Sequence, residues 1–198
     1  MADKFKLIAI TPETGMENET EYVKTIIDSG FDYVHVRKPS FSSVEMEAYL
    51  KKFPSEYMQH IKLNDHFELA RQFDVAGLHL NRRNNEVPRC FAKKVSKSCH
   101  SFVELSNIES YEYVFLSPIY DSICKQGYPS KFTAGELIQA GRDGLINGKV
   151  IALGGITAGK LPEIKEYGFG GAAFLGYLSG ASDKKELNER LKTIIKSI

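Results

Sequence analysis

Eight short apolar runs, rich in β-branched and aromatic residues, alternate along the chain with segments of helical spacing. In the first of these segments, Tyr22, Val23, Ile26 and Ile27 recur at the intervals of one helix face. Apolar strands that alternate with helices are typical of a parallel sheet buried on both faces. The runs predicted as strands are KLIAIT (6–11), YVHVR (33–37), HIKLND (60–65), GLHL (77–80), KKVSKSCHS (93–101), YVFLSPIY (113–120), KVIALGGI (149–156) and GAAFLGYL (171–178).

Eight strand–helix units use the whole chain and leave no stretch for a linker or a second domain. We therefore predict a single α/β domain over residues 1–198, in which the strands close into a (β/α)₈ TIM barrel. An open doubly wound sheet is the alternative. It usually has fewer strands and a glycine-rich first turn, whereas the first turn here, TPETG, lacks G-x-G-x-x-G.

Two helix starts carry N-cap signals. Ser42 or Ser43 is placed to cap the second helix, and Thr133 precedes Glu136 at the spacing of a capping box. The segment DKKELNERLKTIIKSI ends the sequence as a predicted amphipathic helix.

Charge and cysteine content argue against several classes of partner. With 26 Lys and Arg against 25 Asp and Glu, the chain gives no reason to expect nucleic acid or an anionic membrane. Cys90, Cys99 and Cys124 lack paired C-x-x-C spacing, which favours a reducing compartment over a disulfide framework. The apolar run near the N-terminus is too short for a signal sequence or a membrane span. We therefore expect a cytoplasmic protein.

Polar residues collect at the predicted carboxyl ends of the strands, where (β/α)₈ barrels carry their active sites. Loops begin at these ends, so some polar residues are expected in any barrel. Hydrogen-bonding or ionisable groups at six strand ends nevertheless favour an enzyme that acts on a small polar substrate. The residues at these ends are Thr11, His35, Arg37, Asn64, Asp65, His79, Ser98, His100, Ser117, Tyr120, Gly154 and Gly155.

Glycines follow the last two strands, in ALGGIT and FLGYL. Glycine lets the backbone approach a ligand closely, and barrels of this type commonly bind phosphate on backbone N–H groups at these two strand ends. The alternative is that Gly154 and Gly155 only make a tight turn. Two adjacent glycine-bearing ends favour phosphate binding.

The stretch SKSCHS (96–101) contains a cysteine beside a histidine. Strand alternation places Ser98 and His100 on one face and Cys99 on the other, so a Cys–His catalytic pair is not expected. No H-x-x-x-H or similar ligand spacing indicates a metal site. We interpret Cys99 as a core residue and His100 as a candidate general acid/base, the alternative being a histidine that hydrogen-bonds a loop.

Six motifs resemble, in order and spacing, the landmarks of the thiamine phosphate synthase/TenI family: YVHVRKPS, LNDH, GLHL, SKSCHS, SPIYDSICKQG and ALGGIT. The resemblance covers most of the chain and implies a (β/α)₈ barrel, with pairing into a homodimer common in the family. Its synthase branch joins hydroxymethylpyrimidine diphosphate to thiazole phosphate with Mg²⁺ and releases pyrophosphate. Its TenI-type branch consists of thiazole tautomerases, which shift a proton to aromatise a thiazole phosphate carboxylate and need no metal.

The second strand matches the synthase pattern only in part. The resemblance implies Gln-x-Arg-x-Lys there, with the arginine and lysine gripping the diphosphate. Arg37 is retained, but His35 replaces the glutamine and Pro39 stands at the lysine position. Lys38 is adjacent, but alternation points it the other way.

The implied Mg²⁺ site is also incomplete. Asn64 and Asp65 match the Asn-Asp pair that binds diphosphate and Mg²⁺ in the synthases. The second acidic ligand falls at Asn84, and an amide there removes a negative charge that a hard cation needs. Glu86 is close enough to replace it if the loop shifts.

Further along the chain, Lys125 and Ser122 match a lysine and a threonine of the synthases, but TenI-type proteins also carry a lysine there. His100 matches the acid/base histidine of the tautomerases, although many synthases share it. The choice between the two branches therefore depends on the carboxylate missing at Asn84 and the lysine missing at Pro39. We favour a TenI-like tautomerase without a cofactor, and keep as alternatives an Mg²⁺-dependent synthase and a non-catalytic phosphate-binding barrel.

For a tautomerase, we expect the thiazole phosphate to place its phosphate on the backbone N–H groups of Gly155, Leu175 and Gly176. Gly154 permits that approach. The ring carboxylate is expected near Arg37 or Ser98, with Asn64, Ser122 and Lys125 as further contacts. Asp65 is the metal ligand only if a metal is used. The conformation of the loop at 81–90 does not follow from these patterns.

Overall fold

The computed structural model describes residues 4–89, 91–121 and 130–198. Its strands form a closed parallel barrel in chain order, and β8 pairs with β1 to complete it. The predicted (β/α)₈ barrel is therefore confirmed. The strands are β1 (Lys6–Ile10), β2 (Tyr33–Val36), β3 (Ile61–Leu63), β4 (Gly77–Leu80), β5 (Lys94–Cys99), β6 (Tyr113–Leu116), β7 (Val150–Leu153) and β8 (Gly171–Phe174).

Helices cover the outer face of this barrel. They are α1 (Glu19–Asp28), α2 (Ser43–Leu50), α3 (Ser55–Met58), α4 (Ala134–Arg142), α5 (Leu161–Glu166), α6 (Gly176–Ser179) and α7 (Lys184–Lys196). Short 3₁₀ turns at Phe67–Arg71 and Val103–Leu105 follow β3 and β5. No helix in the described ranges is long and apolar enough to cross a membrane.

Both N-cap predictions are confirmed. The Ser42 hydroxyl accepts a hydrogen bond from the Glu45 N–H, and the Ser42 N–H donates one to the Glu45 carboxylate. Thr133 and Glu136 make the same reciprocal pair at the start of α4. These two capping boxes satisfy N–H groups that the first helical turn leaves without partners.

Several predicted strands extend too far at their carboxyl ends. The run YVFLSPIY leaves the sheet after Leu116, and GAAFLGYL leaves it after Phe174, so that Gly176 begins α6 instead. The run HIKLND contributes only Ile61–Leu63 to its strand. In each case the polar or glycine-containing end of the run leaves the sheet and forms the mouth of the barrel. The apolar pattern of the sequence does not show where the strand ends and the mouth begins.

The core has two layers because alternate strand residues face opposite ways. Outward residues such as Val34, Leu63 and Val114 pack against the helices in the larger layer. The barrel interior holds an apolar group made of Ile8, Ile10, Tyr113, Phe115, Ile151 and Ala173. The inward side chains of β2 to β5 include buried polar ones, so this half of the interior must satisfy its own hydrogen bonds.

A buried ion pair fills the amino-terminal end of the barrel. The Lys62 Nζ lies 2.5 Å from the Glu112 Oε2 and 4.5 Å from the centre of the Tyr113 ring. The Tyr33 hydroxyl donates to the other Glu112 oxygen at 2.8 Å. Burial lowers the pKa of Lys62 although Glu112 opposes the shift. For Glu112, burial raises the pKa, but Lys62 and the hydrogen bonds from Tyr33 and Lys94 together lower it by more, so the net shift is downward.

We predict that Glu112→Gln destabilises the fold by about 3–5 kcal/mol, because it leaves the ammonium of Lys62 buried without a counter-charge. The double variant Lys62→Met/Glu112→Gln is expected to lose less than the single one, since no unpaired charge remains. Urea denaturation followed by circular dichroism measures both free energies of unfolding. Equal losses in the two variants would contradict an ion-pair role for Glu112.

Candidate active site at the mouth of the barrel

The carboxyl ends of the strands converge at one end of the barrel, and the described site residues predicted from the sequence lie there. Some of their polar partners, such as Glu13 and Arg83, are not among the strand-end residues predicted from the sequence. Ser122 and Lys125 fall outside the described residues. The others are Arg37 after β2, Asn64 and Asp65 after β3, Ser98 in β5, His100 after β5, Gly154 and Gly155 after β7, and Leu175 and Gly176 after β8.

Ser98 is hydrogen-bonded to a histidine buried inside the barrel. The His79 Nε2 lies 2.8 Å from the Ser98 Oγ, and its Nδ1 lies 2.9 Å from the Ser96 Oγ. His79 is 1% exposed, and burial, followed by the nearby Lys62, lowers its pKa to about 3. The imidazole therefore stays neutral at physiological pH and orients Ser98 through a short hydrogen bond.

Asn64 is positioned in the same way by a second buried histidine. The His35 Nδ1 lies 3.0 Å from the Asn64 Oδ1, and the His35 Nε2 lies 2.7 Å from the Tyr113 hydroxyl. Burial, and then the proximity of His79, holds the pKa of His35 well below its ordinary value. The two imidazole rings meet edge to face, with centroids 4.7 Å apart. Strand alternation predicts that both histidines point into the barrel, but nothing in the sequence indicates that the two rings are in contact.

The charged residues after β2 separate as alternation predicts. Arg37 is near the mouth, where its Nη1 lies 2.5 Å from the Glu13 Oε1 of the β1–α1 loop. Lys38 is fully buried on the other side, where its Nζ pairs with the Glu19 Oε2 at 2.8 Å. The Arg37 guanidinium thus already has a carboxylate partner, which an anionic substrate has to compete with or displace.

The stretch SKSCHS is divided as the sequence indicates. Cys99 is buried in the outer core layer, and burial raises the pKa of its thiol to about 11. His100 is exposed, and its Nδ1 lies 3.1 Å from the Ser117 carbonyl oxygen. The Ser117 Oγ lies 3.2 Å from the same nitrogen. A hydroxyl can accept as well as donate, whereas a carbonyl oxygen only accepts, so both contacts are satisfied when Nδ1 carries the proton in the neutral ring and Nε2 has the lone pair. This tautomer leaves Nε2 as the basic atom.

Close packing explains both glycines after β7. Gly154 has φ of +101°, and a Cβ there would lie 2.8 Å from the Pro118 Cα. Gly155 has φ of +64°, and a Cβ there would lie 2.3 Å from the Asp121 carbonyl oxygen. The loop after β6 is also bonded to this turn, since the Tyr120 N–H donates to the Gly154 oxygen at 3.1 Å. The Gly155 N–H makes no backbone hydrogen bond to another described residue.

The Asp65 carboxylate is nearly saturated by donors of the chain itself. Its Oδ1 accepts from the Arg83 Nη2 at 2.9 Å and from the Asn84 Nδ2 at 3.2 Å. Its Oδ2 accepts the Lys38 N–H at 3.0 Å. Three donors therefore occupy a group that offers about four lone pairs.

This donor set does not fit the Mg²⁺ that the synthase resemblance implies. The residue at the second acidic position, Asn84, presents an amide donor to Asp65 instead of a second carboxylate. A guanidinium, which repels cations, lies against the same oxygen. Within the described residues, no three His, Cys, Asp or Glu side chains are grouped so as to hold a metal ion.

A closed parallel barrel with hydrogen-bonding side chains and a glycine-lined turn at its carboxyl end has the architecture of a barrel enzyme. A family model described as thiamine monophosphate synthase matches residues 7–178. The chain belongs to this family, and it is an enzyme.

Individual relatives agree with this membership. The chain is 26% identical to a thiamine-phosphate synthase of Bacteroides fragilis, over 93% of its own length and 97% of the relative's. It is 25% identical to the corresponding protein of Flavobacterium johnsoniae, over 94% and 96%. Among solved structures, a thiamine phosphate pyrophosphorylase from Bacteroides thetaiotaomicron is 37% identical and superposes with a TM-score of 0.88, covering 98% of this chain and 97% of that one.

We predict that the free energy of unfolding falls as the pH is lowered from about 6.5 toward 3, in part because of His79. The unfolded chain binds a proton near the ordinary pKa of 6.5, whereas the folded one binds it only near 3. Stability from this neutral histidine is therefore complete above pH 6.5 and decreases below it, by up to about 1.4 kcal/mol per pH unit. Urea denaturation between pH 4.5 and 8 measures the slope.

The variant His79→Gln is expected to show a shallower slope over the same range. Phe115→Leu is the matched control, because the Phe115 ring packs against His79 but does not titrate. It is expected to lower stability equally at every pH. A His79→Gln curve parallel to that of the unmodified protein would contradict the assignment.

Proposed function

We propose that this chain is a TenI-like thiazole tautomerase that converts a non-aromatic thiazole phosphate carboxylate into its aromatic isomer. The observation that carries the proposal is the state of Asp65. Its carboxylate is bound by Arg83 and Asn84, at the place where a synthase needs two carboxylates and a divalent cation. An isomerisation needs no such cation, since no diphosphate has to leave.

The substrate phosphate is proposed to bind at the ends of β7 and β8. The Gly155 N–H is available there, and Leu175 and Gly176 begin the short helix α6 beside it. Backbone N–H groups at such a turn can bind an anion through hydrogen bonds. The ring then extends toward β5 and β2, where Ser98 or Arg37 is proposed to bind its carboxylate.

His100 is the proposed acid/base. Its Nδ1–H is held by the Ser117 carbonyl, so Nε2 is the atom that removes the proton from the substrate ring. The resulting imidazolium returns a proton at another carbon, and the ring becomes aromatic with no atom lost. Ser98 is held by the neutral His79, which keeps its hydroxyl at a constant position during this transfer.

We predict that His100→Ala lowers the tautomerisation rate by about 10²–10⁴-fold while phosphate binding is retained. The rate is followed by the absorbance of the aromatic product, and binding of inorganic phosphate by calorimetry. Ser101→Ala, which alters the next residue of the same turn, is the control and is expected to keep the rate. Unchanged turnover in His100→Ala would refute the role given to this histidine.

A second candidate is thiamine phosphate synthase, which joins hydroxymethylpyrimidine diphosphate to thiazole phosphate with Mg²⁺. Two observations favour it: the names of the relatives above, and the presence of Arg37 and Asn64 at the mouth. Release of pyrophosphate from the two precursors in the presence of Mg²⁺ is the deciding assay. We expect no release above background, and release at a synthase-like rate would establish the second candidate instead.

If the protein is a non-catalytic phosphate-binding barrel, we expect tight binding of thiazole phosphate without tautomerisation and without release of pyrophosphate. The same two assays, combined with calorimetry, separate it from both enzymes. The small-molecule substrate is the only partner that the proposal requires. The cytoplasmic location and the homodimer expected from the sequence are carried over as part of this proposal.

A further inference from the structure

The loop after β4 is built to hold one arginine over the end of β3. The Asn81 Oδ1 accepts the N–H groups of Arg83 and Asn84 at 3.0 and 3.2 Å, and the Asn81 Nδ2 donates to the Asn64 oxygen at 2.7 Å. The Asn84 Nδ2 donates to the same Asn64 oxygen at 3.0 Å. Two asparagine side chains, Asn81 and Asn84, thus bond this turn to the strand end that carries Asp65.

Only part of the Arg83 guanidinium is paired with other groups of the protein. The Arg83 Nη2 donates to the Asp65 Oδ1, while Asp65 itself is only 6% exposed. The Arg83 side chain is 45% exposed, and its other guanidinium nitrogens make no hydrogen bond to a described residue. A guanidinium has five N–H donors, so most of them remain available at the mouth. To anchor a surface loop, it would not be necessary to pair a half-exposed arginine with a buried carboxylate.

We propose that Arg83 is a built-in cation that replaces the divalent metal of this site and binds an oxyanion of the ligand directly. Asp65 positions it, in the way that an acidic residue would otherwise hold the metal. The ligand chemistry is a carboxylate or a phosphoryl group, either of which a guanidinium binds through paired hydrogen bonds. The inference deepens the proposed function by assigning a binding residue, but it requires only that the ligand sits at the mouth.

Binding without metal is the first test. Calorimetry in EDTA uses inorganic pyrophosphate as a phosphoryl probe and a thiazole carboxylic acid without phosphate as a carboxylate probe. Arg83→Ala is expected to weaken at least one of them by about 10- to 100-fold, as for the loss of a charge-assisted contact. The probe that is weakened identifies the group. Arg82→Ala, the exposed neighbour in the same loop, is the matched control and is expected to match the unmodified protein.

Restoring the metal site is the second test. The Asn84 Nδ2 is 3.2 Å from the Asp65 Oδ1, so a carboxylate at position 84 would lie beside Asp65 within reach of one shared cation. We expect the double variant Arg83→Ala/Asn84→Asp to bind Mn²⁺, detected by electron paramagnetic resonance. The unmodified protein is expected to bind Mn²⁺ at least tenfold more weakly. Mn²⁺ is used because its spectrum reports bound ion without any turnover.

Three results would overturn the inference. They are equal affinities of Arg83→Ala and Arg82→Ala for both probes, tight Mn²⁺ binding by the unmodified protein, and no gain of Mn²⁺ binding in the double variant. If Arg83→Ala lowers the thermal stability but leaves the affinity for both probes unchanged, Arg83 only anchors the loop, and the inference is likewise overturned. Failure of the proposed tautomerase is seen separately, in the His100→Ala turnover, which leaves these binding measurements unaffected.

Discussion

The pairing of β8 with β1 sends every second residue of eight strands into one enclosed interior, and the remaining structure depends on this closure. Side chains from opposite strands then have to fill the same small space. On one side of the interior Ile8, Ile10 and Ile151 supply apolar bulk. On the other side, His35 and His79 lie against each other and find hydroxyl and amide partners from β3, β5 and β6.

This polar half of the interior links packing to chemistry. Each buried histidine has one ring nitrogen bonded to a core hydroxyl and the other bonded to a residue of the mouth, either Ser98 or Asn64. Because burial keeps both rings neutral, they hold their partners in place by hydrogen bonds and carry no charge. Two polar side chains at the mouth, Ser98 and Asn64, are thus oriented by residues that also fill the barrel interior.

Charge at the mouth follows a different principle. Arg37 and Arg83 are each bound to one carboxylate of the chain, Glu13 and Asp65, yet both arginines remain partly exposed. A cation that is paired on one side and open on the other is held in place at little entropic cost, and it keeps donors for an anion. Under the proposed function, the substrate has two anionic groups, one bound near the glycines after β7 and one near these arginines.

Local patterns were sufficient for much of the fold. Apolar runs and their alternation predicted the eight strands, the outward direction of Cys99 and the inward direction of Ser98, because each depends only on residues near in sequence. The caps at Ser42 and Thr133 followed for the same reason. The strand ends were overestimated, as at Leu116, because apolar residues such as Ile119 and Tyr120 recur in the loop after the strand.

The sequence by itself determined a barrel of this family, the set of polar residues at its mouth and the absence of a second carboxylate at Asn84. Only the tertiary structure decided which of these residues touch: that His79 supports Ser98, that Glu13 occupies Arg37, and that Arg83 lies on Asp65. The physical reason is that side-chain direction is set by the strand that carries a residue, whereas a contact between strands depends on closure and register. Those arise from the packing of the whole chain and have no local signal.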